Sequence, residues 1–431
     1  MVNIGVIFSR LKILVRMLAS FATKLWTFCV SCSVLMTNYR ILKNASQILL
    51  VYEGGFGHSI IAPDLLRRRY PEGNLVVLFA YNPDRHNRLI DQVWESRLHF
   101  IWIPVAIKLP LLSLMFSVEW AQRLFLFLTS LVSVLAKKPE ILSYAQLHDE
   151  APHPPWVKKN SLYWHRYESR YHFQIITTNL PSIKFPKKFS SPIRTALSLH
   201  SSFKFKKLCN LYLRMKSNAP NLSYDQSSTR RQSANIEAYE PAIKFLNEIG
   251  FQVLLTGDTL VPDEMKSKYG DGLLDWVVLG VDREAYMIFS GTEVDMHIGS
   301  LSGGSAYVYA TDIPTLVVDG FTFAEGLPYS TMHYKRLRNP DGRPVMPKEL
   351  FSSFAFDFEC TGYELIDSTP SEIKEAVKDF VENHESQRPY GIEAKDAGIV
   401  ENSEWLKTAN ARISPVWLSS FETFDIELDN I

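Results

Sequence analysis

The sequence predicts an α/β protein built as two doubly wound domains in tandem, with a cleft between them. Three observations carry this. Short β-rich apolar runs alternate with segments of helical length, and the series occurs twice. The runs lack the in-and-out alternation of a half-exposed sheet, so they fit parallel strands covered on both faces. A stretch rich in Pro, Lys and Ser, 181–194, separates the two series as a linker. At 431 residues, 46% of them apolar, the chain is long enough to bury a core in each half. Its 46 basic and 46 acidic residues cancel, so no global field selects nucleic acid or an acidic substrate.

Residues 1–52 contain no Asp or Glu, but do contain Arg10, Lys12, Arg16, Lys24, Arg40 and Lys43 among apolar residues. Lys24 interrupts the apolar run, which fits poorly with a cleaved leader or a spanning helix. Two readings of the segment 1–45 stay open. It is a basic amphipathic helix lying on the inner face of an anionic membrane, or a helix packed on the first domain. Cys29 and Cys32 form a CxxC inside it, with no second pair nearby, and read as two buried thiols. Cys209 and Cys360 stand alone. Nothing resembles a disulfide framework, which favours a reducing, cytoplasmic setting.

The first domain is expected over 46–190. "SQILLVYEG" reads as its first strand, "IIAPDLLRRRYP" as a helix closed by Pro71, and "NLVVLFAY" (74–81) as a second strand. "NRLIDQVWESR" (87–97) reads as a helix and "LHFIWIP" (98–104) as a third strand. "SVEWAQRLFLFLTSLVSVLAKK" is a long apolar helix, and 140–195 has no regular pattern.

The second domain is expected over 195–370. "TALSLHSS" (195–202) reads as its first strand. A helix follows, closed by Gly250, then the strand "FQVLLTGD" (251–258), a short strand "LDWVVLG" and the helix "DREAYMIFSGT". "VDMHIGSLSGGSAYVYATDIPTLVVDGF" reads as strand, glycine-serine loop, helix, strand. The tail, 371–431, is helical and expected to pack back on the first domain.

Ligands of such sheets sit beyond the carboxyl ends of the strands. Two loops there are rich in glycine. "VYEGGFGHS" carries Gly54, Gly55, Gly57 and His58, either as a tight turn or as a loop that brings backbone amides against a ligand. His58 is a general-base candidate, or a helix-start residue with no chemical task. "GSLSGGSA" supplies Ser300, Ser302, Gly303, Gly304 and Ser305, whose amides and hydroxyls suit a pyrophosphate; a plain capped turn is the other reading. His297 reads as buried structure. Gly257 and Asp258 end a strand at the same rim, and Asp258 suits a ribose or a loop amide. Arg230 and Arg231 suit diphosphate oxygens, or form a solvated basic loop. His200 is placed at the end of the first strand of this domain. Asp319 and Glu325 follow the last clear strand, a position that suits a sugar or ribose hydroxyl. There is no Asp-x-Asp for a metal-bound diphosphate; Asp357-Phe-Glu359 is the nearest variant. No zinc spacing, no G-x-S-x-G and no nucleic-acid-binding patch occurs.

Taken together and in order, "VYEGGFGHSI", "ANIEAYEPAIKFLNEIGFQVLLTGD", "HIGSLSGGSAYVYATDIPTLVVDG" and "ARISPVWL" resemble a family of bacterial glycosyltransferases of the GT-B fold, with two Rossmann-like domains. The third block is similar to the donor loop of heptosyltransferase-like enzymes. The resemblance covers about 46–350 and the tail. It implies a nucleotide-sugar donor on the second domain and a glycan or lipid-linked acceptor near Gly54–His58. It also implies no metal and no cofactor beyond the donor itself. Ser302–Ser305 match the diphosphate loop, and Gly257–Asp258 match the strand-end turn. Two departures matter: the family's His-x-Arg pair at the first strand of this domain is here "LHSS", with His200 and no arginine, so that either Arg230 or Arg231 stands in or donor affinity differs, and the family's acidic helix start is altered to "SANIE". Two other activities remain open, a nucleotide-sugar epimerase of the same fold and a binding protein that has lost catalysis.

Overall fold

The computed structural model describes residues 21, 25–26, 28–51, 57–81, 87–104, 127, 141–143, 182–200, 205–214, 235–301, 303–321, 330–353, 362–384 and 412–424. The chain forms two compact units, Met1–Leu147 and His148–Ile431.

In the first unit β1 (Gln47–Val51), β2 (Leu75–Tyr81), β3 (Leu98–Pro104) and β4 (Ile141–Ser143) form one parallel sheet in the order β3-β2-β1-β4. Both faces are covered, as continuous apolar strands require. Ile48, Leu50, Val76, Leu78, Ile101 and Ile103 pack with Leu35, Leu42 and Ala45 on one face. The alternate residues Leu49, Val51, Val77 and Phe79 are equally buried on the other. The first face is covered by a helical run, 28–37, continued by α1 (Tyr39–Asn44). Asn38 lies between them, yet its N–H donates to Val34 O and its carbonyl accepts from Leu42 N, so the i→i−4 ladder runs through. Cys29 and Cys32 lie on this run. Contrary to a buried pair, Cys29 is exposed and only Cys32 is half-buried.

The second helix, α2 (His58–Arg69), is tied to the chain beyond β2. Buried Asp64 accepts from Arg67 Nε at 2.7 Å and Arg68 Nε at 2.6 Å; Arg67 reaches Glu95 at 3.5 Å and lies 5.4 Å over the Trp94 ring. The expected helix at 87–97 is reduced to a 3-10 turn, Arg88–Val93. Packing overrides propensity there: Trp94 leaves the turn extended, at ψ 152°, and stacks on Phe100. The apolar segment 117–138 lies outside the described residues apart from Phe127.

The second unit is built on seven parallel strands. They are β5 (Lys207–Leu213), β6 (Phe251–Gly257), β7 (Leu273–Leu274), β8 (Met296–Gly299), β9 (Thr315–Gly320), β10 (Ser330–Tyr334) and β13 (Arg412–Ile413), in the order β13-β10-β9-β8-β5-β6-β7. A separate antiparallel pair joins β11 (Arg336–Arg338) to β12 (Glu364–Ile366). Helices α4 (Glu240–Glu248) and α8 (Pro370–Asn383) cover one face, with Ile243, Leu246, Val377 and Phe380 against Leu211, Val253, Leu255 and Ile298. Gly250, at φ 93°, turns the chain from α4 into β6, and Thr369 closes a capping box with Glu372 at the start of α8.

Four expectations change. First, 195–202 is not a strand. Lys187–Leu199 forms α3, in which Ser190, Ile193 and Leu197 are buried at helical spacing, and the first strand of this unit is β5. The linker 181–194 therefore opens a helix of the second unit. Second, "LDWVVLG" is a strand only at Leu273–Leu274. Buried Asp275 ends it, because Oδ1 accepts from Val277 N and Val278 N, and Oδ2 from Val261 N. Third, the element after the glycine-serine loop is a 3-10 helix, Gly303–Tyr309. Fourth, the tail packs on its own unit: Trp417 and Phe421 of α9 (Pro415–Phe424) pack with Val317, Met332 and Tyr334, and β13 extends the sheet. Between β7 and β8 runs α6 (Arg283–Thr292), capped by Asp282, whose Oδ1 accepts from Ala285 N at 2.8 Å; α5 (Asp263–Tyr269) precedes β7 and α7 (Pro347–Ser353) follows β11.

Candidate functional site

Both sheets reverse their winding direction at one place. In the first unit the chain runs from β1 outward to β3 on one side and places β4 on the other. In the second it runs from β5 to β7 on one side, and from β8 to β13 on the other. The connections that leave β5 and β8 therefore diverge, which opens a crevice beyond their carboxyl ends. The two glycine-bearing loops leave their sheets at these two switch points. The first follows β1 and enters α2 at Gly57, whose carbonyl accepts from Ile60 N and Ile61 N. The second follows β8.

The second loop is packed tightly on the end of β5. A Cβ on Gly299 would lie 2.2 Å from Tyr212 O, and one on Gly304 2.0 Å from the Tyr212 ring. Glycine is required at both positions by this close approach, whatever ligand the loop meets. Ser300 N donates to Tyr212 O at 3.2 Å, while Ser300 Oγ is fully buried and has no partner among the described residues. Ser305 is buried as well, and Gly303 is half-buried.

A polar chain crosses three strands beside this loop. Thr256 Oγ1 donates to Asn210 Oδ1 at 2.7 Å, and Asn210 Nδ2 lies 2.9 Å from His297 Nδ1. The amide donates, so Nδ1 accepts and the proton of the neutral ring sits on Nε2. That Nε2 is buried and has no partner. Burial holds the His297 pKa down at about 4, so the ring is neutral near pH 7. His297 is buried structure, as its strand position suggested. Among the described residues, Ser300 Oγ just past the end of β8 and His297 Nε2 within β8 are two of several buried side-chain donors without a partner, and such donors are costly to leave unmade.

Charge at this rim comes from Asp258, Arg214 and Arg283. Asp258 follows β6, and its N–H donates to Leu213 O at 3.2 Å. Its side chain is exposed at the surface, but desolvation by the surrounding chain still raises its pKa, against the lowering fields of Arg214 and then Arg283. Arg214 directly follows β5, at the switch point. The sequence does not reveal this arginine, because 195–202 reads as the first strand while the first strand of this unit is β5.

The other expected residues separate. His200 lies at the opposite end of the sheet: it caps α3, its Nδ1 lies 3.1 Å from Asp271 Oδ1, and its carbonyl accepts from Gln252 at the start of β6. It is therefore removed from the carboxyl rim. Asp319 is buried, and its Oδ2 has no partner among the described residues. Its Oδ1 accepts from Ser368 N at 2.8 Å and Ser368 Oγ at 2.7 Å, which ties the end of β9 to the start of α8. Its φ of 54° is the one positive value among described non-glycine residues, and burial raises its pKa. Gly257 has φ 109°, and a Cβ there would meet Leu213 O at 2.0 Å, so its glycine serves the β5–β6 contact. Gly54, Gly55, Arg230, Arg231, Ser302, Glu325, Asp357 and Glu359 lie outside the described residues, as does the side chain of His58. Among the described residues no cluster of three or more metal-ligating side chains occurs.

No protein-family model matches the chain. No curated protein matches it significantly in sequence. Among solved structures, the chain is similar to a glycosyl transferase family 9 protein from Veillonella parvula DSM 2008. They are 10% identical, with 78% of this chain and 97% of that one covered and a TM-score of 0.44. It is also similar to the ADP-heptose lps heptosyltransferase II of E. coli, at 12% identity, 79% and 99% coverage and a TM-score of 0.41. The wall teichoic acid polymerase TagF is matched at 13% identity, 91% and 98% coverage and a TM-score of 0.24.

Proposed function

We propose that this chain is a metal-independent glycosyltransferase of the GT-B type. It moves a sugar from a nucleotide-activated donor to a hydroxyl of a cell-envelope or surface glycan, or of a glycolipid. One observation carries the reading: the Ser300–Ser305 loop leaves the parallel sheet at its switch point with a buried, unpartnered Ser300 hydroxyl, next to Arg214 at the end of β5. Such a crevice is where a doubly wound sheet takes a nucleotide. The guanidinium of Arg214 replaces Arg230 and Arg231 as the first choice for the diphosphate, because Arg214 directly follows β5 at the switch point. In the reaction His58 takes the proton of the acceptor hydroxyl and the hydroxyl oxygen attacks the anomeric carbon. The nucleoside diphosphate leaves, with Arg214 and the loop amides bearing its charge.

The test is calorimetric titration of the full chain with nucleoside diphosphates and nucleotide sugars. One nucleotide is expected to bind. Arg214→Ala should weaken it about 10- to 100-fold, the loss of one charge-assisted hydrogen-bonding group. Ser300→Ala should weaken it too, yet leave unfolding stability unchanged or slightly raised, because the hydroxyl it removes has no partner in the free protein. Binding of the same strength in all three proteins overturns this site. Turnover of the donor without any acceptor would instead identify an epimerase.

A further inference from the structure

We propose that the helix before β1 seats this protein on an anionic lipid surface. The proposal stands apart from the transferase reading, since it uses none of the rim residues. The run 28–44 buries one face: Ser31, Leu35 and Leu42 are covered, with Phe28, Cys32 and Ile41 beside them on the first sheet. The flank beside that face is apolar and open, while the side directly opposite carries the exposed polar Ser33, Thr37 and Asn44. Phe21, Leu25, Trp26 and Met36 are 66%, 53%, 63% and 62% exposed, and Cys29 is exposed with them. Phe21, Leu25 and Trp26 are helical too. Positions 21, 25, 29 and 36 recur at the spacing of one helical face, so this is a stripe and not scattered exposure. Phe127, itself 51% exposed, widens it, with its ring 5.5 Å from that of Phe28. Contiguous open apolar surface of this kind marks an interaction site.

Charge identifies the occupant. Because the hydrogen-bond ladder runs through Asn38, positions 40 and 43 continue the same stripe, and there Arg40 and Lys43 are exposed. The first 52 residues hold six Arg and Lys and no carboxylate, which suits anionic headgroups around an apolar stripe. A second copy meeting the same face would set cation against cation. Among the described residues no helix is long and apolar enough to cross a membrane, so the stripe lies along the surface.

The full chain should co-sediment with vesicles of phosphatidylcholine containing about one-third phosphatidylglycerol, and much less with phosphatidylcholine alone. Two double variants test the two halves of the surface: Leu25→Glu with Trp26→Glu, and Arg40→Glu with Lys43→Glu. Each should lower partition at least about tenfold with the thermal midpoint unchanged, since all four side chains are exposed. Sedimentation velocity without lipid should show one species for the native protein and for both variants. Equal partition of native and variant proteins, or no binding to anionic vesicles, overturns the proposal. So does a native dimer that the Leu25/Trp26 pair of changes dissociates, which would assign the stripe to a second copy.

Discussion

Gly257→Ala is expected to lower stability by about 3 kcal/mol or more, among the largest effects of any single added methyl group in this chain. The reason is backbone. At φ 109° the new Cβ would lie 2.0 Å from Leu213 O and 2.8 Å from Leu213 C. No rotamer change relieves this, because the obstacle is the end of β5 itself, paired with Gly257 in register. Relief requires β5 and β6 to part where Asp258 N donates to that same Leu213 O. Gly280→Ala is the matched control. Its φ of 63° is also positive, but a Cβ there meets nothing within 4 Å, so about 1–2 kcal/mol of conformational strain is all it should lose. Urea unfolding of the three proteins decides the matter, and equal losses would sink the steric account. Partial separation of the two strand ends would also move Arg214 and Asp258, so nucleotide affinity should fall in Gly257→Ala and stay native in Gly280→Ala.

Strands such as Val76–Phe79 and Val253–Leu255 announce themselves, because burial on both faces leaves no polar residue to break the run. β5 hides for the converse reason. It starts at Lys207 and carries Asn210 in its middle, and that amide is tolerable only because Thr256 and His297 satisfy it. These partners lie 46 and 87 residues away, brought together by the order β8-β5-β6, which no spacing in the chain displays. With β5 hidden, the apolar positions of α3 read as a strand, which puts His200 at the rim in place of Arg214. Glycines misled differently. Sequence shows that a residue without Cβ stands at 257, 299 and 304, but not what approaches it, and at all three the approaching group is β5. Asp319 reads as a strand-end carboxylate free for a ligand; only the fold shows Ser368 holding it from within.

Acid should destabilise the second unit through His297 and His333, well above the range where exposed carboxylates titrate. Burial lowers His297 from the ordinary 6.5 to about 4. Burial, and then the Arg336 charge, lower His333 to about 3; its Nδ1 lies 3.1 Å from Ser414 Oγ on the far side of the sheet order. Each group binds its proton more tightly in the unfolded chain. The stability tied to its neutral state is thus whole above pH 6.5 and is lost as pH falls toward the folded value. At about 1.36 kcal/mol per pH unit below 6.5, each histidine should remove about 2 kcal/mol by pH 5. Asp64 and Asp319 act in the opposite sense. Burial raises both, so falling pH favours the fold through them and offsets part of the loss. Substitution separates the contributions. His297→Gln keeps an amide oxygen to accept from Asn210 Nδ2 but removes the titration, so its unfolding free energy should fall less steeply between pH 6.5 and 5 than the native slope, by about 2 kcal/mol over that interval. Parallel pH profiles for the two proteins would mean that His297 is not held neutral by burial.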